Sequence, residues 1–197
     1  TNILVQSNQF DVTWLKVLTT VTSGHLGLDG TNSAWLLSKG ETSTANIRQN
    51  ISFSGIYTFS VYLKKGTNAS AVLRSGGGGS ARLKIDLSNG SVIGTQNTIS
   101  TSIKSMGDNW YRCSMTFNAS SNSDVRIYPE SPLDASNAGN IYIQYAQLEQ
   151  NSFATSPIDT QGIAQTRAAD TSNGSGNSTL INSSEGVLYA DISALAD

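Results

Sequence analysis

The sequence predicts an all-β, antiparallel fold on three observations. Apolar residues recur with period two in five separate runs, turn signals fall between the runs, and no segment carries ten residues of capped helical periodicity. Tyr57, Phe59, Val61 and Leu63 alternate with Thr58, Ser60, Tyr62 and Lys64. Ala81, Leu83, Ile85 and Leu87 alternate with Arg82, Lys84, Asp86 and Ser88. Tyr111, Cys113, Met115 and Phe117 alternate with Arg112, Ser114 and Thr116. Val125 and Ile127 alternate with Arg126 and Tyr128, and Ile141 and Ile143 with Tyr142 and Gln144. Successive strand side chains point to opposite faces, so each run predicts one buried and one solvated face. Phe59, Leu83, Cys113, Phe117, Ile127 and Ile143 are the expected core. Further strands are expected near Asn2–Gln6, Ser33–Lys39, Asn46–Ser52 and Ser70–Arg74.

The punctuation agrees. Leu28-Asp29-Gly30, Ser88-Asn89-Gly90, Met106-Gly107-Asp108-Asn109 and Ala138-Gly139-Asn140 are turn sequences, and Asn-Gly favours hairpins because both residues tolerate positive φ. The all-glycine stretch Gly76–Gly79 precedes a strand, not a helix with a Lys-Ser or Lys-Thr pair, so it reads as a connection and not as a phosphate cradle. Eight or more short strands at this spacing predict a sandwich or barrel. With 197 residues there is material for one good core and the start of a second unit.

Charged residues are 13% of the chain, against a usual value of about 25%. The net charge is −2 and no basic run exists, so no nucleic-acid partner is expected. No stretch of 18 apolar residues occurs, so no membrane insertion is expected. The lone Cys113 lies in a strand run and reads as a buried, inert thiol. The lone His25 sits in a Gly-flanked loop without a partner motif. Asp86, Asp108, Asp124, Glu130 and Asp134 show no spacing that marks a catalytic pair. No enzyme activity is expected and no catalytic residue is assigned. Trp14 and Trp35 read as core, whereas Trp110 would either cap a sheet edge or face a ligand.

The pattern changes after Gln150. Residues 1–150 form the expected sandwich, 151–178 an extended strap or linker ending in the Gly, Ser and Asn spacer Asn173–Ser178, and 179–197 the start of a second β unit with a strand near Gly186–Ile192. A chain that opens on Thr1 is expected to be trimmed or cut from a longer protein.

Four stretches taken together carry a resemblance: NILVQSNQFDVTW at the start, GIYTFSVYLKKG, GDNWYRCSMTFN, and IYIQYAQLEQNSFATSPIDT. They resemble carbohydrate-binding jelly-roll modules of tailed-phage fibre and spike proteins. TRAAD and STLINSSEGVLYADISALAD resemble the link into a concanavalin-A-like lectin domain and its first strand. The resemblance implies an antiparallel jelly-roll β-sandwich with an extended C-terminal strap. It also implies a glycan or surface-polysaccharide ligand, other virion proteins as partners, a homo-oligomer, and a place on the virion surface or outside the cell. Such modules often hold a structural calcium, but Gln144 and Gln147 stand where carboxylates would be expected, leaving Asp11 and Glu149 as possible oxygen ligands. No metal site and no cofactor are assigned.

Sugar binding needs an aromatic face and planar polar groups. The strand faces expected to be wet supply them in Tyr62, Lys64, Arg112, Arg126, Tyr128 and Tyr142, the candidate ligand-binding residues, with Arg82, Lys84 and Gln144 pointing the same way from their strands. An arginine stacked on a tyrosine would instead be a structural cation–π pair. A purely structural fibre module, and an accessory domain of a polysaccharide-degrading enzyme, are the alternative functions.

Overall fold

The computed structural model describes residues 1–42, 44–129 and 137–167, with residues 122 and 123 described by backbone alone. The chain divides into two compact units, Thr1–Thr166 and Arg167–Asp197. The second lies outside the described residues except for Arg167, and with it the expected spacer at Asn173–Ser178 and the strand at Gly186–Ile192.

The first unit is all-β and antiparallel. Its strands are β1 (Leu15–Val17), β2 (Thr19–His25), β3 (Ala34–Lys39), β4 (Asn46–Lys65), β5 (Ser70–Gly77), β6 (Arg82–Asp86), β7 (Ser91–Gln96), β8 (Ser100–Ser105), β9 (Trp110–Tyr128) and β10 (Gly139–Glu149). β4 and β9 are long enough to run through two layers. Each changes direction midway. The β4 register shifts between Asn50 and Ser54, followed by Gly55 at φ 105°, while Ser121 in β9 sits at φ 120°. An extra residue in one strand bends it locally, and Gly supplies the positive φ that other residues resist.

Sheet A therefore runs β2–β3–β10–β4–β9–β8, using residues 57–65 of β4 and 110–118 of β9. Sheet B runs β1–β4–β9–β5–β6–β7, using residues 46–50 of β4 and 124–128 of β9. With each half of β4 and β9 taken as a strand, and the edge strands β7 and β8 set aside, the chain from β3 to β10 has eight. The first, eighth, third and sixth lie side by side in sheet A, and the second, seventh, fourth and fifth in sheet B. This is the interlocked Greek-key order of a jelly roll.

The inner faces meet in one apolar core. Phe59, Leu83, Cys113, Phe117, Ile127 and Ile143 are all fully buried in it, as the alternation requires. Because a one-residue slip would invert a whole strand, their joint burial fixes the register of four strands. Trp14 and Trp35 are buried beside Phe10 at the end of the same core.

Some expected strands differ. Asn2–Gln6 is not a strand, because only Asn2 and Gln6 make isolated bridges, to Gln165 and Gln161. Asn46–Ser52 is continuous with the next run as β4. β2, β7 and β8 were not legible, since their exposed edge positions carry Ser, Thr and Gly with no apolar alternation.

Candidate functional site

Cross-strand register builds the outer face of sheet A into polar rows, because directly paired residues share a face. One row is Ser100–Thr116–Thr58–Glu149 and the next Ser102–Ser114–Ser60–Gln147. The third is Lys104–Arg112–Tyr62–Gln144, and the fourth Trp110–Lys64–Tyr142. Four of the six candidate residues thus come together on one face. Arg126 and Tyr128 do not, since they belong to the half of β9 in sheet B and face outward there.

Facing away from the core does not mean facing water. Tyr62 is only 3% exposed and Trp110 1%. With Ala34 they form a second, smaller cluster on the outer face, flanked by Leu28, Met106, Tyr142 and Tyr145. Gln144 is fully buried: its Oε1 accepts from the Leu28 N–H at 2.9 Å and its Nε2 donates to Ser33 Oγ at 2.7 Å. Tyr128, 3% exposed, is also buried. The solvated placement expected for Tyr62, Tyr128 and Gln144 is therefore corrected. Trp110 caps this cluster, with the Lys64 ammonium 5.9 Å from its ring centroid. His25 is not a free loop residue either, because it ends β2 with its ring edge-on to Tyr142 at 5.5 Å.

The strap is what covers the middle of the face. Thr58 Oγ1 donates to the Asn151 carbonyl at 2.9 Å and Thr116 Oγ1 to the Ser152 carbonyl at 3.2 Å. The buried Glu149 carboxylate accepts from Thr155 N–H and Oγ1, and the Gln147 side-chain Oε1 from Ile158 N–H. Gln147 Nε2 faces Thr155 and Ser156 oxygens at 3.4 Å. Glu149 and Gln147 thus spend their polar atoms anchoring the strap. Asp11 is exposed, remote from that anchor in its contacts, with its carbonyl accepting from Lys16 Nζ. Among the described residues no group of three or more His, Cys, Asp and Glu could hold a metal ion.

Arg112 joins strap to sheet. Its guanidinium lies 5.4 Å from the Tyr62 ring centroid and donates to the Thr155 carbonyl. The stack on Tyr62 is the structural reading of an arginine beside a tyrosine, and Arg112 also lines a groove, with its Nε buried and without a hydrogen-bond partner.

That groove runs between the strap and the edge strand β8, with a volume near 330 Å³. Its floor is the hydroxyl ladder Ser100, Ser102 and Ser114, its charged end is Lys104 and Arg112, and its far wall is Phe153 of the strap. Phe153 is 61% exposed, a large apolar ring held in water beside a row of hydroxyls and two cations. Sequence reasoning missed it because the strap shows no periodicity. The available signal was an isolated aromatic among small polar residues, Asn151-Ser152-Phe153-Ala154-Thr155.

The arrangement defines an all-β jelly-roll module with a shallow, cationic and hydroxyl-lined groove on one sheet. No protein-family model and no curated protein sequence matches the chain. Among solved structures it is similar to the N-terminal CBM22-1–GH10 modules of Clostridium thermocellum endo-1,4-β-D-xylanase 10B, determined with xylohexaose. That likeness is 14% in identity with a TM-score of 0.43, covering 75% of this chain and 27% of the other. The chain thus spans about a quarter of the xylanase chain's length.

Proposed function

We propose that this chain is a non-catalytic glycan-binding module of a phage virion fibre or spike that contacts surface polysaccharide. The observation that carries the proposal is Phe153. Exposing a phenylalanine ring costs hydrophobic free energy of about 1.5–3 kcal/mol relative to burial. Here the ring stands at the rim of a groove whose other groups are donors and acceptors. A pyranose presents what this groove lacks: an apolar C–H face for Phe153, hydroxyls for Ser100, Ser102 and Ser114, and, in a uronic acid, a carboxylate for Lys104 and Arg112. Lys64 and Tyr142 lie one row further along the same face and do not line the groove.

The fibre setting rests on the sequence resemblance. A homo-oligomer fits the exposed Val92, Ile93 and Ile99 on and after β7, since large apolar side chains at a sheet edge favour association. Repetition would raise the avidity of a weak single site by about 10²–10⁴. The test is a glycan array probed with the whole chain and with Phe153→Ala. The proposal expects a restricted set of saccharides bound by the parent and lost in the variant. Binding to none, or a set unchanged by the variant, would refute it.

A further inference from the structure

The outer face of sheet B carries a feature with no counterpart on sheet A. Arg48 in β4 pairs directly with Arg126 in β9, Arg126 with Arg74 in β5, and Arg74 with Arg82 in β6. Four of the chain's 12 lysines and arginines thus stand in a single cross-strand row. At 4.7–4.9 Å between strands the row spans about 14 Å. Like charges directly opposite one another destabilise a sheet, so this row works against the fold unless an anion lies across it.

Internal neutralisation is small. Among the described residues, the one carboxylate hydrogen-bonded to the row is Asp124, which takes Arg126 Nε at 2.6 Å and Nη2 at 2.8 Å. That pairing raises the Arg126 pKa and fixes the direction of its fork, while burial, the next largest effect, pulls the other way. Arg74 Nε donates to a hydroxyl, Ser80 Oγ, at 3.1 Å. Arg48 Nε is buried without any hydrogen-bond partner. All four side chains are partly exposed.

We propose that this row is a second binding site, for a linear polyanionic polysaccharide bearing sulfate or phosphate esters. A guanidinium fork matches tetrahedral oxyanions in a way an ammonium does not, and all four positions are arginine. A single-stranded nucleic acid fits less well, since its bases need exposed aromatic faces to stack on and, among the described residues, the aromatic beside the row, Tyr128, is buried. The site does not depend on the Phe153 groove, which lies on the outer face of the other sheet.

The experiment is isothermal titration of the whole chain with dextran sulfate, a phosphomannan, neutral dextran and oligo(dT) at several salt concentrations. Arg74→Gln/Arg82→Gln and Phe153→Ala are titrated in parallel. The proposal expects binding of dextran sulfate, the phosphomannan or both, falling steeply with salt, and none of neutral dextran. Arg74→Gln/Arg82→Gln should lose at least about tenfold in affinity, equal to about 1.4 kcal/mol, while Phe153→Ala loses none. Because the double variant removes charge repulsion, its melting temperature should not fall. Should it fail to fold, arginine Nε–H resonances of the parent chain, followed during dextran sulfate addition, give the same answer. Absence of polyanion binding, equal affinity in Arg74→Gln/Arg82→Gln, arginine resonances that do not move, or tighter binding of oligo(dT) than of either polysaccharide would overturn it. Loss of groove binding in Phe153→Ala with polyanion binding intact keeps this site and the groove separable.

Discussion

Replacing Arg112 with alanine separates scaffold from ligand contact, because the structure gives Arg112 both tasks. The substitution removes a charge-assisted hydrogen bond to the Thr155 carbonyl and the stack on Tyr62. A hydrogen bond from a charged group is worth about 1.5–3 kcal/mol net, and a partly exposed cation–π contact about 0.5–1 kcal/mol. Taking the low end of both, because Arg112 is partly solvated, gives a loss of about 2 kcal/mol. For a chain of this size each kcal/mol shifts the melting temperature by about 2–4 °C, so Arg112→Ala should melt about 4–8 °C lower. Phe153→Ala, at an exposed position, should stay within about 0.5 kcal/mol of the parent. Differential scanning calorimetry beside a glycan titration reads both. The account expects Arg112→Ala to lose stability and binding together, and Phe153→Ala to lose binding alone. An Arg112→Ala variant that melts with the parent would show that the strap is not held there and would refute this reasoning.

Three further outcomes follow from the packing and the charges. Phe59→Ala, at the fully buried centre of the core, should cost about 3–5 kcal/mol in chemical denaturation; a cost below 1 kcal/mol would mean the core collapses around the gap. A Cβ at Gly76 would overlap the Asp124 carboxylate and crowd the Arg126 guanidinium. Gly76→Ala should therefore break that ion pair and lower the melting temperature, read by calorimetry, whereas an unchanged value would place the carboxylate elsewhere. Burial pushes the Cys113 thiol up, so Ellman's reagent should react only with unfolded chain. Its stability contribution is fully present below the unfolded thiol's pKa of about 8.5 and is lost as pH rises above it. Rapid labelling of the native chain at pH 8 would contradict this burial.

What the sequence disclosed was direction, and what it hid was cover. Period-two alternation placed Phe59, Cys113 and Ile127 inside because strand parity is local, set by neighbours two residues away. The same parity sent Tyr62 outward correctly, yet Tyr62 is buried by Trp110 and Ala34 from other strands. Parity cannot report a second layer of chain, and the strap over Thr58 and Thr116 arrives from residues 151–152. The arginine row was hidden for a related reason. Arg48, Arg74, Arg82 and Arg126 are far apart in sequence and meet only through the register of four strands. Arg126 and Arg82 were placed outward by the alternation of their own strands, but nothing local singled out Arg48 and Arg74 or brought the four together. Phe153 escaped because an unpaired strap has no periodicity to betray which way a side chain points.

The central claim is that a glycan lies along the groove between β8 and the strap. Its most direct test is a ¹H–¹⁵N titration of the whole chain with a saccharide selected on the array. The account predicts that amide shifts concentrate at residues 100–104, 112–116 and 152–154, with the Phe153 ring protons moving upfield or downfield as a sugar stacks on them. Shifts confined to other surfaces, with these three segments silent at saturation, would contradict it.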